Sequence, residues 1–439
     1  MKLVFLLFEK ALIHATYLSK RADAIKNWED FLDKYLGICI EDEYDKEKNP
    51  EGYVDLATAV NNLCPDIIYP KLASKDVWYC DPAMLQYRED FGIMRLRKAM
   101  ASLMTVFLET HKPIEPTDLV CSAGVTSCID LLSHCIADPG DVILAPTPIY
   151  SRIYTDFKQR AEVDLWPIPI ISKDNEELKP VLTIEKVEKA YAAAISQNRV
   201  VRGIFLINPD NPLGDVYSPE LVMDILKFAQ KHKLHAIVDE LYALSVFPDG
   251  PQFHSVLKFP EIPDPERTHI LYGLSKDFGL AGLRIGVIYT QCKELRNCLI
   301  QLTAFASVPY PIMDIAARLL EDIDWCKAYV AEFKKRLQDK FTSCSTHLKK
   351  LGINVRDSKA GLFLWMDFRH VCGSKSFKQE RDFFLYLLNE MHLYIVPGEE
   401  LFSAQPGWFR MIFTGHPNNL NEGLRRLEQA IQNYKPLDL

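Results

Sequence analysis

Short apolar segments alternate with longer amphipathic segments between about residues 91 and 305. Apolar runs at 203–207, 236–238, 268–272 and 285–289 have the length and composition of buried strands. Strands separated by helical patterns are typical of βαβ units around a mostly parallel sheet. The pattern therefore predicts a large doubly wound α/β domain in this part of the chain.

The pattern changes after about residue 326. A long charged helix is predicted at 324–351, followed by strands at 361–368 and 408–413 and by helices at 377–391 and 420–433. Near the other end, the charged, turn-rich residues 41–52 connect an N-terminal helical arm to the body of the protein. The C-terminal part is therefore expected to form an α+β domain.

Polar residues follow two of the predicted strands. Asn211 lies in Asn-Pro-Asp-Asn-Pro-Leu-Gly after 203–207, whereas Asp239 and Tyr242 follow 236–238. Parallel strands present functional residues at their carboxyl ends. At such a position a carboxylate can pair with a pyridine nitrogen, and the tyrosine and asparagine can hydrogen-bond a phenolate oxygen. Each residue alone has an ordinary structural explanation, as a turn residue or a helix cap.

Lys276 lies between the apolar runs 268–272 and 285–289, in Ser-Lys-Asp-Phe-Gly-Leu-Ala-Gly-Leu-Arg-Ile-Gly. Burial lowers the pKa of an amine and makes it a usable nucleophile. Ser275 and Arg284 add a hydroxyl and a fixed positive charge, which suit a phosphate. An amine that can condense with an aldehyde, beside a phosphate site, matches the requirements of pyridoxal 5'-phosphate. A surface lysine in a turn is the alternative for Lys276 considered alone.

These segments resemble the class I pyridoxal-phosphate aminotransferases of fold type I, and within them the 1-aminocyclopropane-1-carboxylate synthase branch with its animal synthase-like relatives. Further matching segments are 137–141, 146–150 and 406–410, so that the resemblance spans roughly residues 50–435. It implies a large α/β domain at 81–325 and a smaller α+β domain. That smaller domain would combine residues 1–80, which include an N-terminal arm, with residues 326–439.

The resemblance also assigns further site residues. Val125 and Thr126, at a predicted helix start, would bind the cofactor phosphate, although an ordinary helix start built from small residues is the alternative. Tyr150 would stack on the cofactor ring, or would otherwise pack in the core. Arg410, in an otherwise apolar strand, would grip the substrate α-carboxylate with two parallel hydrogen bonds, although an internal salt bridge is the structural alternative. Tyr87 would reach the cofactor phosphate of a neighbouring chain in a homodimer, although an ordinary rim tyrosine is nearly as good an interpretation.

Composition narrows the class of protein. A chain of 439 residues that is 48% hydrophobic can form a large core, and a net charge of −8 without a basic stripe argues against nucleic acid as a partner. The 11 scattered cysteines fit free thiols in a reducing compartment. No membrane span is predicted, so we expect a cytoplasmic protein.

His232 and His235 lack the further ligands that a metal site needs and are expected on a helix end and in the following loop.

Two functional classes remain open. The chain is expected to be an enzyme that acts on α-amino acids by transamination or by β/γ elimination, or else an inactive descendant that acts as an interaction protein. Synthases of the resembled branch carry a glutamate that helps to hold S-adenosylmethionine, and Val60 stands in its place here. Their Tyr-His-Gly is replaced by Asp-Phe-Gly at 90–92. We therefore expect synthase activity to be weak or absent.

Overall fold

The computed structural model describes residues 17–171, 181–373 and 376–436. Within these residues the strands are, in chain order, β1 (Val54–Asp55), β2 (Leu119–Ser122), β3 (Val142–Thr147), β4 (Asp164–Pro169), β5 (Val201–Ile207), β6 (His235–Asp239), β7 (Thr268–Gly273), β8 (Gly286–Thr290), β9 (Asn354–Val355), β10 (Phe363–Asp367), β11 (Leu393–Tyr394), β12 (Val396–Pro397) and β13 (Trp408–Ile412). They form one large sheet and two smaller ones.

Helices alternate with strands from β2 to β6, as the sequence predicts, whereas no α-helix among the described residues separates β6, β7 and β8. The helices are α1 (Lys20–Ile25), α2 (Phe31–Glu41), α3 (Pro65–Leu72), α4 (Met94–Phe107), α5 (Val125–Ile136), α6 (Arg152–Lys158), α7 (Ile184–Ser196), α8 (Pro219–His232), α9 (Lys293–Leu302), α10 (Tyr310–Glu321), α11 (Ile323–Lys350), α12 (Arg369–Cys372), α13 (Phe377–Asn389) and α14 (Pro417–Asn433). The long charged helix predicted at 324–351 is α11. The predicted domain boundary at 325/326 falls in its first turn and stays a prediction.

The large sheet has the strand order β2-β8-β7-β6-β5-β3-β4. Its central strands are parallel, with Ile207 beside Asp239 at the carboxyl ends of β5 and β6. Strand β8 runs antiparallel to both β7 and β2. Strands β3, β7 and β8 are buried along their whole length, which explains their near-continuous apolar sequences.

The smaller sheets join the two ends of the chain. Strands β12, β13, β10 and β9 form a four-stranded sheet, and β1 pairs in parallel with β11. The N-terminal segment therefore packs into the C-terminal α+β part, as the resemblance implies. A continuous buried core connects this part to the large sheet.

Two sequence expectations about this framework need comment. His232 ends α8 as predicted, but the expectation that His235 lies in a loop is wrong, because His235 begins β6 and its side chain meets His269 in β7. No single helix in the described ranges is long and apolar enough to cross a membrane, although the bent pair Lys293–Phe305 and Tyr310–Glu321 meets that test by length and composition alone. The cellular compartment stays a prediction.

Candidate active site

Lys276 lies just after the carboxyl end of β7 and is hydrogen-bonded to two residues of the N-terminal segment. Its Nζ donates a hydrogen bond to the carbonyl oxygen of Ala59 at 2.7 Å, and Asn61 Nδ2 donates to the Lys276 carbonyl oxygen at 2.8 Å. Lys276 retains some exposure to solvent. Burial, followed by the charges of Arg410 and Arg284, lowers its pKa from 10.5 to about 8, against the opposing effect of Asp239. A substantial fraction of this amine is therefore neutral and nucleophilic near pH 8.

Asp239 ends β6 and is almost fully buried. Its Oδ1 accepts a hydrogen bond from the Leu241 N–H at 3.0 Å. Burial raises the pKa of the Asp239 carboxyl to about 7, while the Leu241 N–H and the charge of Lys276 lower it. A cation next to this carboxyl would favour its ionised form, which is the role expected of a partner for a pyridinium nitrogen.

Tyr242, Asn211 and Arg410 form a continuous chain of hydrogen bonds. Asn211 Nδ2 donates to Tyr242 Oη at 3.3 Å, and Asn211 Oδ1 accepts from Arg410 Nη1 at 3.1 Å. Burial raises the pKa of the Tyr242 hydroxyl, which therefore stays protonated. The loop after β5, the turn after β6 and strand β13 thus meet at one point.

Arg410 is 1% exposed, yet it has no carboxylate partner within the part of the chain that is described. Its Nη2 donates to the Ala57 carbonyl oxygen at 2.7 Å, its guanidinium carbon lies 5.4 Å from the centre of the Tyr150 ring, and its Nε has no hydrogen-bond partner. A buried cation without a counter-ion is costly, because desolvation is not repaid. The internal salt bridge considered from the sequence is therefore not observed among these residues, and the geometry favours an external anion.

Val125 and Thr126 open helix α5, as expected for a phosphate site. The preceding Gly124 has φ +88°, and no side chain in the described ranges caps the helix, so N–H groups of the first turn are left for an anion. A Cβ on Gly124 would lie 2.6 Å from Arg284 Nη2, and a Cβ on Gly286 would lie 2.4 Å from the Gly124 carbonyl carbon. The two glycines therefore permit β8 and Arg284 to approach the helix start.

Ser275 is half-buried in the turn just before Lys276. A Cβ on Gly273, at the end of β7, would lie 3.4 Å from Val125 Cγ2, so this turn begins beside the start of α5. Tyr87 is different, because it is 97% exposed, and the single chain does not bring it to the other candidate residues.

Three groups in the site have no counterpart in the sequence predictions. Asp156 on α6 is buried, accepts a hydrogen bond from Arg152 Nε at 3.2 Å and is also bonded by Thr126. Burial raises the pKa of Asp156 to about 7, and the negative charge of Asp156 raises the pKa of Asp239. The other two are Asn61, which donates a hydrogen bond to the Lys276 carbonyl oxygen, and Tyr394, whose hydroxyl lies close enough to Arg410 for that charge to lower its pKa. The sequence offered one signal for Asp156, an acid four residues after an arginine on a helix with a buried face.

The residues present fit pyridoxal phosphate. An uncapped helix start beside an arginine suits the phosphate, and a lysine of lowered pKa suits the aldehyde. A buried carboxyl that forms no salt bridge within the described residues suits the pyridine nitrogen. These three groups lie at the ends of neighbouring elements of one sheet.

Comparison with known proteins identifies the family of this chain. Residues 81–427 match the aminotransferase class I and II family, and the chain belongs to that family. It is 35% identical to 1-aminocyclopropane-1-carboxylate synthase-like protein 1 of Mus musculus, over 94% of this chain and 83% of the relative. It is 34% identical to the "probable inactive 1-aminocyclopropane-1-carboxylate synthase-like protein 2" of the same species, over 98% of this chain and 74% of the relative.

The fold comparison gives the same class. Aspartate aminotransferase from Thermotoga maritima superimposes with a TM-score of 0.72 at 20% identity, covering 95% of this chain and 100% of that one. The prediction of a fold type I transferase, with a large α/β domain and a smaller part built from both ends of the chain, is confirmed. Proteins of this family are pyridoxal-phosphate-dependent and act on amino acids.

Proposed function

We propose that this protein is a pyridoxal-phosphate-dependent enzyme that acts on α-amino acids by transamination or by β/γ elimination. The observation that carries the proposal is the buried Arg410, which has no carboxylate partner among the described residues and is joined through Asn211 to Tyr242 in the site of Lys276. A protein that needed only the fold would gain nothing from a buried cation without a counter-ion. A carboxylate ligand would supply the counter-ion that this charge lacks.

The cofactor would be held by groups already in place. The first turn of α5, Ser275 and Arg284 would bind its phosphate, Asp239 its ring nitrogen, and Asn211 and Tyr242 its phenolic oxygen. Tyr150, whose ring lies beside the Arg410 guanidinium, would cover the ring. When bound, pyridoxal phosphate supplies an electron sink for the bonds at the substrate α-carbon.

The protein's own groups would orient the substrate and move its proton. Arg410 would hold the α-carboxylate, which fixes the direction of the bonds at the α-carbon. The lowered pKa of Lys276 would let its Nζ accept the α-proton as a general base. Asp239, ionised beside a cationic ring nitrogen, would keep that nitrogen protonated.

A homodimer is part of the proposal. Tyr87 and Leu85 are 97% and 69% exposed, and Tyr310 fixes their segment by donating a hydrogen bond to Asp90 at 2.7 Å. An exposed aromatic residue on an anchored segment suits a contact with a second copy of the chain. Sedimentation of the cofactor-loaded protein should show a dimer, and a monomer that binds the cofactor tightly would contradict this part.

The second candidate is an inactive protein that acts through interactions. It is favoured by the 34% identical relative named as probably inactive. The two candidates differ in a simple measurement. An active site of the proposed kind should give purified protein a visible absorption band with pyridoxal phosphate, and amino acids should shift that band. A band that none of the twenty amino acids changes would favour the second candidate.

Attachment at Lys276 tests the central assignment. Borohydride reduction of the loaded protein, followed by peptide mapping, should find the cofactor on Lys276. Lys276→Ala should bind the cofactor reversibly and have no turnover. Lys293→Ala is the matched control, because Lys293 is exposed on α9 in the same half of the chain. Cofactor attached to another lysine would refute the assignment.

Synthase activity is expected to be weak or absent. Val60, 36% exposed, presents an apolar group where synthases of this branch carry a glutamate. A carboxylate and a cation about 4 Å apart attract each other by roughly 1–4 kcal/mol near a protein surface, so a sulfonium substrate that lacks this partner should bind about tenfold or more weakly. Incubation with S-adenosylmethionine should yield little cyclopropane product, and Val60→Glu should yield more. Product formation by the unchanged protein as fast as transamination would contradict this expectation.

A further inference from the structure

Two buried polar atoms in the candidate site have no hydrogen-bond partner among the described residues, Arg410 Nε and Tyr394 Oη. Tyr394 is fully buried, so its hydroxyl cannot be satisfied by bulk water. Buried polar groups are nearly always hydrogen-bonded, because an unsatisfied one costs free energy. The Tyr394 hydroxyl therefore calls for an explanation.

Tyr394 lies close to Arg410. Val396 of β12 pairs with Arg410 of β13, and Tyr394 lies two residues before Val396, at the end of β11 in the neighbouring sheet. The charge of Arg410 acts on the Tyr394 hydroxyl, as expected for two groups close together. On its other side Tyr394 pairs with Asp55, two residues before the Ala57 carbonyl that accepts a hydrogen bond from Arg410. Tyr394 thus lies between the elements that fix the guanidinium.

The Tyr394 ring is held in place by aromatic neighbours. Ring centroids of Phe31, Tyr35 and Phe384 lie 6.4, 5.8 and 6.4 Å away. The hydroxyl stays protonated, because burial raises its pKa, although the nearby charge of Arg410 acts in the opposite direction. It is therefore a fixed hydrogen-bond donor next to a fixed cation.

We propose that the Tyr394 hydroxyl is a further substrate-binding group, which donates a hydrogen bond to the carboxylate held by Arg410. A carboxylate has about four acceptor sites on two oxygens, more than a single guanidinium occupies. Two unsatisfied donors around one cation match that acceptor. The inference rests on the proposed function and deepens it, because it adds a second ligand for the substrate carboxylate.

The alternative is that Tyr394 only fills the aromatic cluster. In that case phenylalanine should replace it at no cost, because the substitution removes an unsatisfied polar atom and keeps the ring. Tyr394→Phe therefore separates the two explanations. Tyr35→Phe is the matched control, because Tyr35 belongs to the same cluster and its hydroxyl is not a buried orphan.

The experiment uses the cofactor-loaded protein with propionate as the carboxylate probe and propionamide as its uncharged counterpart. Binding is measured by calorimetry, together with cofactor affinity and the melting temperature of each variant. We expect Tyr394→Phe to weaken propionate binding about tenfold, which corresponds to about 1.4 kcal/mol. Cofactor affinity should be unchanged and the melting temperature unchanged or higher. Tyr35→Phe should bind propionate as the unchanged protein does.

Three results would overturn the proposal. One is propionate affinity of Tyr394→Phe within twofold of the unchanged protein. Another is a loss of propionate affinity that is matched by equal losses in cofactor affinity and melting temperature, which is the signature of a structural role. The third is an unchanged protein that takes up cofactor and responds to amino acids but does not bind propionate. Failure of the proposed function itself would be visible separately, as an unchanged protein without the cofactor absorption band.

Discussion

Replacement of Gly286 by alanine tests how closely β8 must approach the first turn of α5. The added Cβ would lie 2.4 Å from the Gly124 carbonyl carbon, 2.6 Å from the Val125 nitrogen and 2.7 Å from the Gly124 oxygen. Ordinary contact begins at 3.4 Å, so the helix start has to move by about 1 Å. All three atoms belong to the backbone, and no side-chain rotation can relieve the overlap.

The displacement has two measurable consequences. Overpacking of this kind destabilises a protein by about 1–3 kcal/mol. It also moves the first N–H groups of α5 by about 1 Å, which takes a hydrogen bond of about 2.9 Å beyond its useful range. Each charge-assisted bond lost to a phosphate is worth about 1.5–3 kcal/mol. Pyridoxal phosphate should therefore bind at least tenfold more weakly.

The assay is a titration of the unloaded protein with pyridoxal phosphate, followed by visible absorbance, together with urea unfolding in its absence. Gly282→Ala is the matched control, because Gly282 lies four residues before Gly286 and an added Cβ there meets nothing within 4 Å. The control should bind the cofactor normally. If Gly286→Ala also bound it with unchanged affinity, the approach of β8 to α5 would have no part in forming the cofactor site.

Two further predictions concern buried polar groups outside the direct cofactor contacts. Asp277→Ala removes the acceptor for the Leu244 N–H, Ser245 Oγ and Tyr272 Oη, at 3.0, 2.6 and 3.2 Å. Asp277→Ala should lower the free energy of unfolding in urea by about 3 kcal/mol or more. The control Asp249→Ala, at an exposed position, should lower it by less than about 1 kcal/mol. Equal losses in the two variants would contradict the prediction. The second prediction concerns pH. Burial lowers the pKa of His235 and of His269, whose Nδ1 and Nε2 lie 3.0 Å apart. Their contribution to stability is thus complete above pH 6.5 and is lost as the pH falls towards the lowered values. The free energy of unfolding, measured in urea between pH 7 and 4.5, should fall less steeply with decreasing pH in His269→Asn than in the unchanged protein. An equally steep fall would refute this explanation.

Much of the large sheet could be predicted from the sequence, because buried parallel strands have distinctive apolar runs. The runs around 203–207, 268–272 and 285–289 correspond to β5, β7 and β8. Strand β4 was not predicted. Its sequence, Asp-Leu-Trp-Pro-Ile-Pro, contains two prolines, which are tolerated because β4 lies at the edge of the sheet. The antiparallel direction of β8 was also not predicted, since an apolar run carries no information on strand direction.

Part of the candidate site could likewise be predicted from the sequence, and part of it could not. Lys276, Asp239 and Asn211 follow strands that the sequence predicts, so their chemistry and their positions at strand ends could be predicted from local pattern and from the family resemblance. Their hydrogen-bond partners could not. Arg410 contacts Asn211 across 199 residues and Ala57 across 353 residues of chain.

The sequence by itself determined which strands are buried, which residues follow them and which cofactor those residues suit. Only the tertiary structure decided which buried polar groups find partners inside the protein. It pairs Asp156 with Arg152 and Thr126, and it leaves Arg410 Nε and Tyr394 Oη without any among the residues described. The physical reason is that apolar periodicity is a local property of the chain. Satisfaction of a buried hydrogen bond depends on atoms that only folding brings together.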